Sequence, residues 1–374
     1  MAKYVYADNA ATTKLDEEVF EAMRPWLLDE YGNASQPYSF SRKPKEALKK
    51  AREIIAGCIN ALPEEIYFTS GGTESDNWAI KGTAFANYNH REIITSAFEH
   101  HAVLRSCEAM ETLGWPVIYM WPNTNGIIIP KTLENCITDD TLLVSVMFAN
   151  NELGTIQPIK ELCKVAHSHN ALFHTDAVQA VGHVAVDTKE LGVDMLSASA
   201  HKFNGPKGIG FLYIRKDVKL IPYSDGGSQE SAMRAGTENI ASIVGMAVAL
   251  KKNVERLKEN QKRIIKLERL LLQIMNDEGI SFIRNGSTST LPGILSLSFE
   301  GKDGEAILHR MDLLGISIST GSACDSKNTE ISHVLKALHM PESLAKGTIR
   351  ISLGKKNTEE DVVAITKALK KIIL

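Results

Sequence analysis

Short apolar runs and longer amphipathic stretches alternate along the first two thirds of the chain. Residues 66–69, 92–95, 117–120, 142–148, 172–175, 195–198 and 210–214 read as strands, several of them almost continuously apolar. Between them, residues 74–87 and 159–169 carry apolar positions at helical spacing. Such alternation predicts an α/β protein with a mainly parallel sheet covered by helices on both faces. Ligands of such sheets bind at the carboxyl ends of the strands. Polar clusters follow strand after strand in that position: SGGTES, EHH, ANNE, TDAVQ and SAHK.

The pattern then changes. From 241 to 275 the residues Val254, Leu257, Ile264, Ile265, Leu271, Leu272 and Met275 recur at helical spacing, with Glu255, Lys258, Glu259 and Lys262 on the other face. This predicts one long helix linking two domains. Beyond Gly279, short strands at 293–299, 316–319 and 348–352 with two helices predict a smaller α+β unit.

Composition narrows the function. A chain of 374 residues suggests about two domains. With a net charge of −3 and its basic residues interspersed with acids, it has no electrostatic footprint for nucleic acid or an anionic membrane. No apolar run nears the roughly 20 residues of a membrane helix, and residues 1–13 do not read as a signal peptide. Five cysteines, Cys58, Cys107, Cys136, Cys163 and Cys324, form no CxxC pair, which points to a reducing compartment and the cytoplasm. The clusters Glu99-His100-His101 and His167-Ser168-His169 have no common zinc spacing, so no metal is expected.

Several residues can carry chemistry. In 68–75 a strand ends, Gly71 and Gly72 allow a tight turn, and Thr73 opens a helix. Free backbone N–H groups at such a helix start suit a phosphate, although a helix capped by Thr after two glycines is common in any αβ loop. Neither GxxxxGK[ST] nor a strand-linked GxGxxG is present. Lys202, at the end of Ser197-Ala198-Ser199-Ala200-His201-Lys202, could form a Schiff base with a carbonyl cofactor or be an ordinary surface lysine. Asp176 could hold a pyridinium nitrogen or cap a helix. Four cysteines lie in apolar or helical contexts expected of buried small hydrophobes. Cys324, in the small, polar stretch STGSACDS, suits an exposed reactive thiol.

Taken together, YADNAATT, FTSGGTESDN, EHHAV, ANNELGTIQP, FHTDAVQA, SASAHKFNGPKGIG, RAGTEN, STGSAC and IRISLG resemble, in order and over essentially the whole chain, the NifS/IscS-type cysteine desulfurases. These belong to the class V aminotransferase group, on the pyridoxal-phosphate (PLP) transferase fold called fold type I. The Cys324 loop resembles that of the IscS-like branch. The resemblance implies a large domain with a mainly parallel seven-stranded sheet and a smaller α+β C-terminal domain. The expected division is a large domain over 15–255 and a small one from 1–14 with 256–374.

It further implies that Lys202 holds PLP covalently and moves the Cα proton, that Asp176 pairs with the pyridine nitrogen, and that Gln179 bonds the ring phenolate. His100 would stack on the ring and take part in proton transfer. Gly72, Thr73, Ser199 and His201 would hold the phosphate, joined by Thr237 from the other subunit of a homodimer. Asn151 and Arg350 would bind the substrate carboxylate, and Cys324 would take sulfur from L-cysteine, leaving alanine. An iron–sulfur scaffold or a tRNA-thiolation protein would then accept the sulfur.

Three positions depart from the family pattern. Tyr38 stands at a usual histidine position, Asp325 follows the nucleophile with Lys327 nearby, and Ile331 replaces a familiar proline. A carboxylate beside the nucleophile disfavours thiolate. Two other readings compete. One is a PLP enzyme of different outcome, a selenocysteine lyase or an aminotransferase, which would have no use for Cys324 or would prefer selenium. The other is a non-catalytic sulfur-transfer scaffold, which would not need Lys202, Asp176, His100 and Arg350.

Overall fold

Among the described residues the strands are β1 (Val5–Tyr6), β2 (Ile66–Thr69), β3 (Glu92–Ser96), β4 (Val117–Met120), β5 (Thr141–Ser145), β6 (Leu172–Asp176), β7 (Met195–Ser199), β8 (Gly210–Ile214), β9 (Ile283–Arg284), β10 (Ile294–Ser298), β11 (Ile316–Ser317) and β12 (Thr348–Ser352). The structure, a computed structural model, describes residues 4–87, 91–321 and 331–374. Seven strands form one sheet in the order β2-β8-β7-β6-β5-β3-β4. The pairs β3–β4, β3–β5, β5–β6 and β6–β7 are parallel, and β8 runs antiparallel to both its neighbours. The chain is thus α/β with a mainly parallel seven-stranded sheet. Strands β5, β7 and β8 are buried along their whole length, the burial expected where both faces are covered. Phe173 and Phe211 are fully buried beneath one face, Leu143 and Leu212 beneath the other. Removing one such aromatic costs about 3–5 kcal/mol.

A separate core gathers Leu271, Met275, Leu295, Phe299, Met311, Ile349, Ile351 and Leu369, and Val5 and Ala7 join it from the other end of the chain. The reason is pairing: β1 lies parallel to β11, with Val5 opposite Ile316, while β12, β10 and β9 form an antiparallel sheet. After β1 the chain crosses to the large sheet. Asp8 bridges Ser352, and Thr13 N donates to the His201 carbonyl at 2.9 Å. Residues 8–13 therefore span the join between the two cores, over the ends of β6 and β7.

Four expectations about elements need correction. The stretch 241–275 is two helices, Ile240–Glu255 and Leu257–Asp277, because Arg256 leaves helical dihedrals at φ −105° and ψ 17°. The first packs on the helices Glu17–Leu28 and Arg42–Cys58, the second on Glu359–Ile373, so each half follows a different core. The helix expected over 74–87 begins at Gly72 and widens to a π turn at Trp78–Gly82, where Thr83 Oγ1 donates to the Ala79 carbonyl at 2.5 Å. The run 142–148 pairs as a strand only to Ser145. Its continuation still bonds to β6, Val146 N to the His174 carbonyl at 3.1 Å and Phe148 N to the Asp176 carbonyl at 2.8 Å, and then turns into the site. The C-terminal unit has four helices among the described residues, not two: Gly304–Leu313, His333–Ala337, Glu342–Ala345 and Glu359–Ile373. Two of these are too short to show a period.

Candidate active site

The turn after β2 is shaped by two glycines. Gly71 takes φ +152°, and Gly210 on the neighbouring strand lies so near that a Cβ there would sit 2.8 Å from Gly71 Cα and 2.4 Å from the Ala198 carbonyl oxygen. The close approach sets Gly72 and Thr73 at the start of the helix, where backbone N–H groups lack helical acceptors. Ser70 N donates to Glu74 at 3.0 Å, and Arg234 binds the same carboxylate at 2.9 Å.

β7 ends at Ser199, and the short 3-10 turn Ala200–Lys202 follows. Lys202 Nζ donates to the carbonyls of Ala10 and Ala11 at 2.5 and 2.9 Å. The turn is fastened from behind by His183 Nε2, 2.8 Å from the Lys202 carbonyl. His201 Nδ1 lies 3.1 Å from Thr12 Oγ1. Burial, with the charges of Lys202 and Lys207, pushes His201 down to about 4, so it is neutral at pH 7.

Asp176 closes β6 and is buried; its Oδ1 accepts from Val178 N at 2.9 Å. Burial raises its carboxyl above the ordinary value, while His100 and Lys202 pull it down. Beneath it Asp76 is raised further, by burial and by the charge of Asp176. Gln179 donates to the Ala10 carbonyl at 3.0 Å. His100 is the N-cap of the helix His101–Thr112 and its Nδ1 accepts from Ala102 N at 3.1 Å. That bond leaves the proton of the neutral ring on Nε2. Burial lowers the His100 pKa, opposed by Asp176, and so favours that neutral ring.

Arg350, on β12 and only 5% exposed, reaches the same space from the C-terminal core. Its Nη1 donates to the Asn151 carbonyl at 3.0 Å and its Nη2 to Asp8 Oδ1 at 2.8 Å. Its Nε is buried and without a partner among the described residues, so the guanidinium retains donors for an anion. Glu152, also in the wall, is pushed up to about 7 by burial, against the pull of Ser332 and Arg350.

These groups line one cavity of about 400 Å³. It brings together Gly72, Thr73, His100, Asn151, Asp176, Gln179, Ser199, His201, Lys202 and Arg350. Thr237 does not line it and is exposed on the surface of this chain. Cys324, Asp325 and Lys327 lie outside the described residues. Of the other cysteines, Cys107 and Cys163 are buried, but Cys58 and Cys136 are only half-buried. Burial pushes the Cys58 and Cys163 thiols up to about 11 and 12, which makes them poor nucleophiles. His167 is engaged by Asp194, Nε2 to Oδ2 at 2.8 Å. Among the described residues no group of three or more His, Cys, Asp or Glu could hold a metal, and no helix is long and apolar enough to cross a membrane.

Asp8, Glu152, Asp76, His183 and Ser332 belong to the site but were given no role in the sequence reading. Asp8, Glu152 and Asp76 sit inside the motifs YADNAATT, ANNE and FTSGGTESDN. His183 and Ser332 carry no local signal, since folding alone brings them there.

The donor set suits pyridoxal phosphate. A helix start with Ser199 and neutral His201 could receive an anion, the buried carboxylate of Asp176 could face a cationic nitrogen, and Lys202 lines the same cavity.

Comparison with known proteins gives the same picture. The family profile described as Aminotransferase class-V matches residues 5–365. A protein of Dictyoglomus turgidum named cysteine desulfurase IscS is 47% identical over 100% of this chain and 95% of its own length. One of the same name from Methanosarcina thermophila is 46% identical over 99% of this chain and 92% of its own. A solved NifS-like protein superposes with a TM-score of 0.93 at 38% identity, covering 99% of each chain. SspA, solved in complex with cysteine, superposes with a TM-score of 0.85 at 37% identity over 95% of this chain and all of its own.

Proposed function

The chain belongs to the class-V aminotransferase family and is a PLP-dependent cysteine desulfurase; we propose that it passes the sulfur of L-cysteine to Cys324 and releases alanine. The carrying observation is the convergence of Lys202, Asp176, the Gly72–Thr73 helix start and Arg350 on one cavity. Bound PLP supplies an electrophilic carbonyl and an electron sink for the bond changes at the substrate.

The residues divide the remaining work. Asp176, ionised against a cationic ring nitrogen, keeps that nitrogen protonated. Gln179 stands beside it to bond the ring oxygen. The N–H groups of Gly72 and Thr73, with Ser199 and neutral His201, hold the phosphate. Arg350, braced by Asp8 and the Asn151 carbonyl, clamps the substrate carboxylate, with Asn151 beside it. The Lys202 amine takes the Cα proton, and His100, with its Nε2–H, serves as the neighbouring proton carrier. The Cys324 thiolate attacks the substrate sulfur. The Cβ–S bond breaks, an S–S bond forms, and Cβ gains a proton. Atoms balance as cysteine plus thiol giving alanine plus persulfide, without an added oxidant or reductant.

Thr237 is exposed on this chain and absent from its cavity, which supports a two-fold dimer in which it completes the neighbour's phosphate site. The onward acceptor is a carrier thiol or scaffold of the iron–sulfur or tRNA-thiolation type. A reducing, cytoplasmic setting suits a chain whose work depends on a free thiol. Alanine and sulfide measured from L-cysteine test the reaction. Transamination without alanine, or turnover of selenocysteine alone, would replace it.

A further inference from the structure

Resting on the reading above, the geometry points to Glu152 as a positioning residue for sulfur removal: its buried carboxylate accepts from Ser332 and lies close against the main chain of Gly321, residues on either side of the stretch carrying Cys324.

Glu152 stands in the turn after β5. Its own N–H and that of Leu153 donate to Asn150 Oδ1 at 2.9 and 3.0 Å, and Asn150 Nδ2 donates to the Phe98 carbonyl at 3.0 Å. The backbone beneath the carboxylate is therefore fixed. The side chain is 4% exposed. Ser332 Oγ lies 2.9 and 2.7 Å from its two oxygens. Ser332 also caps the helix His333–Ala337, accepting from Val334 N at 3.1 Å. A hydroxyl has one proton. With Val334 donating to Ser332, that proton goes to Glu152.

The main chain on the other side of 322–330 comes close to the same group. A Cβ at Gly321 would lie 2.2 Å from Glu152 Oε2 and 3.1 Å from Ser332 Cβ, so only a residue without a side chain lets the main chain approach. Two residues earlier, Ser319 is tied to Arg350 by a pair of backbone bonds of 3.0 and 2.7 Å. Gly321 thus lies two residues past a bridge to β12, the strand that carries the substrate-binding arginine. Cys324 lies between Gly321 and Ser332 in sequence, within 322–330.

A buried carboxylate is an expensive brace. An apolar side chain of similar size would pack the wall at lower cost, so packing alone does not account for Glu152. Both of its oxygens, however, lie within reach of the Ser332 hydroxyl, and Oε2 is also the oxygen beside the bare main chain of Gly321. Through Gly321 and Ser332, which flank the stretch carrying Cys324 in sequence, the carboxylate can influence the reaction of the thiol with a bound substrate.

The test separates this role from construction of the cofactor site, using two reactions of the holoenzyme. Exchange of the Cα proton of alanine with solvent deuterium needs PLP, Lys202 and Arg350 but no thiol. Alanine release from cysteine needs Cys324 as well. Glu152→Ala should lose roughly 10- to 100-fold in kcat for alanine release, the scale expected of a misplaced reacting group. It should keep the KM for cysteine, the visible band of the bound cofactor and the exchange rate. Glu152→Gln, which can still accept from Ser332, should fall between. Gly321→Ala, which drives a methyl into Oε2, should reproduce the loss in the wild type and add little on the Glu152→Ala background. Equal loss of exchange and alanine release, or unchanged alanine release, overturns the role. A wild type that exchanges Cα protons yet never makes alanine from cysteine defeats the desulfurase reading itself, and the inference with it.

Discussion

Arg350 Nη2 donates to Asp8 Oδ1 at 2.8 Å, joining the two ends of the chain inside the site. Asp8 lies just past β1, whose pairing with β11 delivers it to the C-terminal core. The carboxylate thus orients a guanidinium whose buried Nε has no partner among the described residues.

Loss of that brace should be felt in substrate binding. Asp8→Ala is expected to raise the KM for cysteine about tenfold, equivalent to about 1.4 kcal/mol, with a smaller effect on kcat. Steady-state kinetics checks it, and an unchanged KM removes Asp8 from the substrate site.

Lys202 lines the cavity at the ends of β6 and β7. Lys202→Ala should yield a protein without the visible band of the covalently held cofactor and without alanine production, although Asp176 and the Gly72–Thr73 turn still bind PLP weakly. Absorbance after adding PLP to the purified protein reads this out. A wild type that stays colourless would remove the cofactor assignment.

Thr237 provides a test of assembly. Lys202→Ala and Thr237→Ala chains, each impaired alone, should regain activity when mixed and allowed to exchange, because one of the two sites in a heterodimer then has both groups. Sedimentation and activity of the mixture decide the point. A fully active monomer contradicts the shared site.

His174 makes stability depend on pH. It is buried in β6, with Ser145 Oγ 2.8 Å from Nδ1 and Ser197 Oγ 3.0 Å from Nε2, and burial holds it down to about 3. An unfolded histidine titrates near 6.5. Between these values the unfolded chain binds more protons, so the contribution of His174 is fully present above about pH 6.5 and is lost as pH falls toward 3. The Tm advantage of the wild type over His174→Gln should therefore be larger at about pH 7.5 than at about pH 5. An advantage independent of pH would contradict the neutral buried ring.

Much of this site was legible because its chemistry sits in contiguous loops at strand ends. SGGT, TDAVQ and SAHK each place their functional residue within a turn of the strand that delivers it, so period and punctuation sufficed. Glu152 and Asp8 were visible as letters within motifs, but their partners, Ser332 and Arg350, are 180 and 342 residues away in sequence. Only the paired strands and the join between the two cores bring them together. The break at Arg256 was hidden for a related reason. Its flanking helices keep one apolar rhythm while packing on different cores, and neither proline nor glycine marks the change.

In the proposed reaction sulfur leaves cysteine by way of Cys324. Mixing the purified holoenzyme with one equivalent of L-cysteine, then measuring alanine and the mass of the peptide containing Cys324, tests it most directly. The account predicts one alanine per active site, one additional sulfur on Cys324 that a thiol reductant removes, and neither product from Cys324→Ser. Alanine released at the wild-type rate by Cys324→Ser, or formed while Cys324 carries no added sulfur, would contradict it.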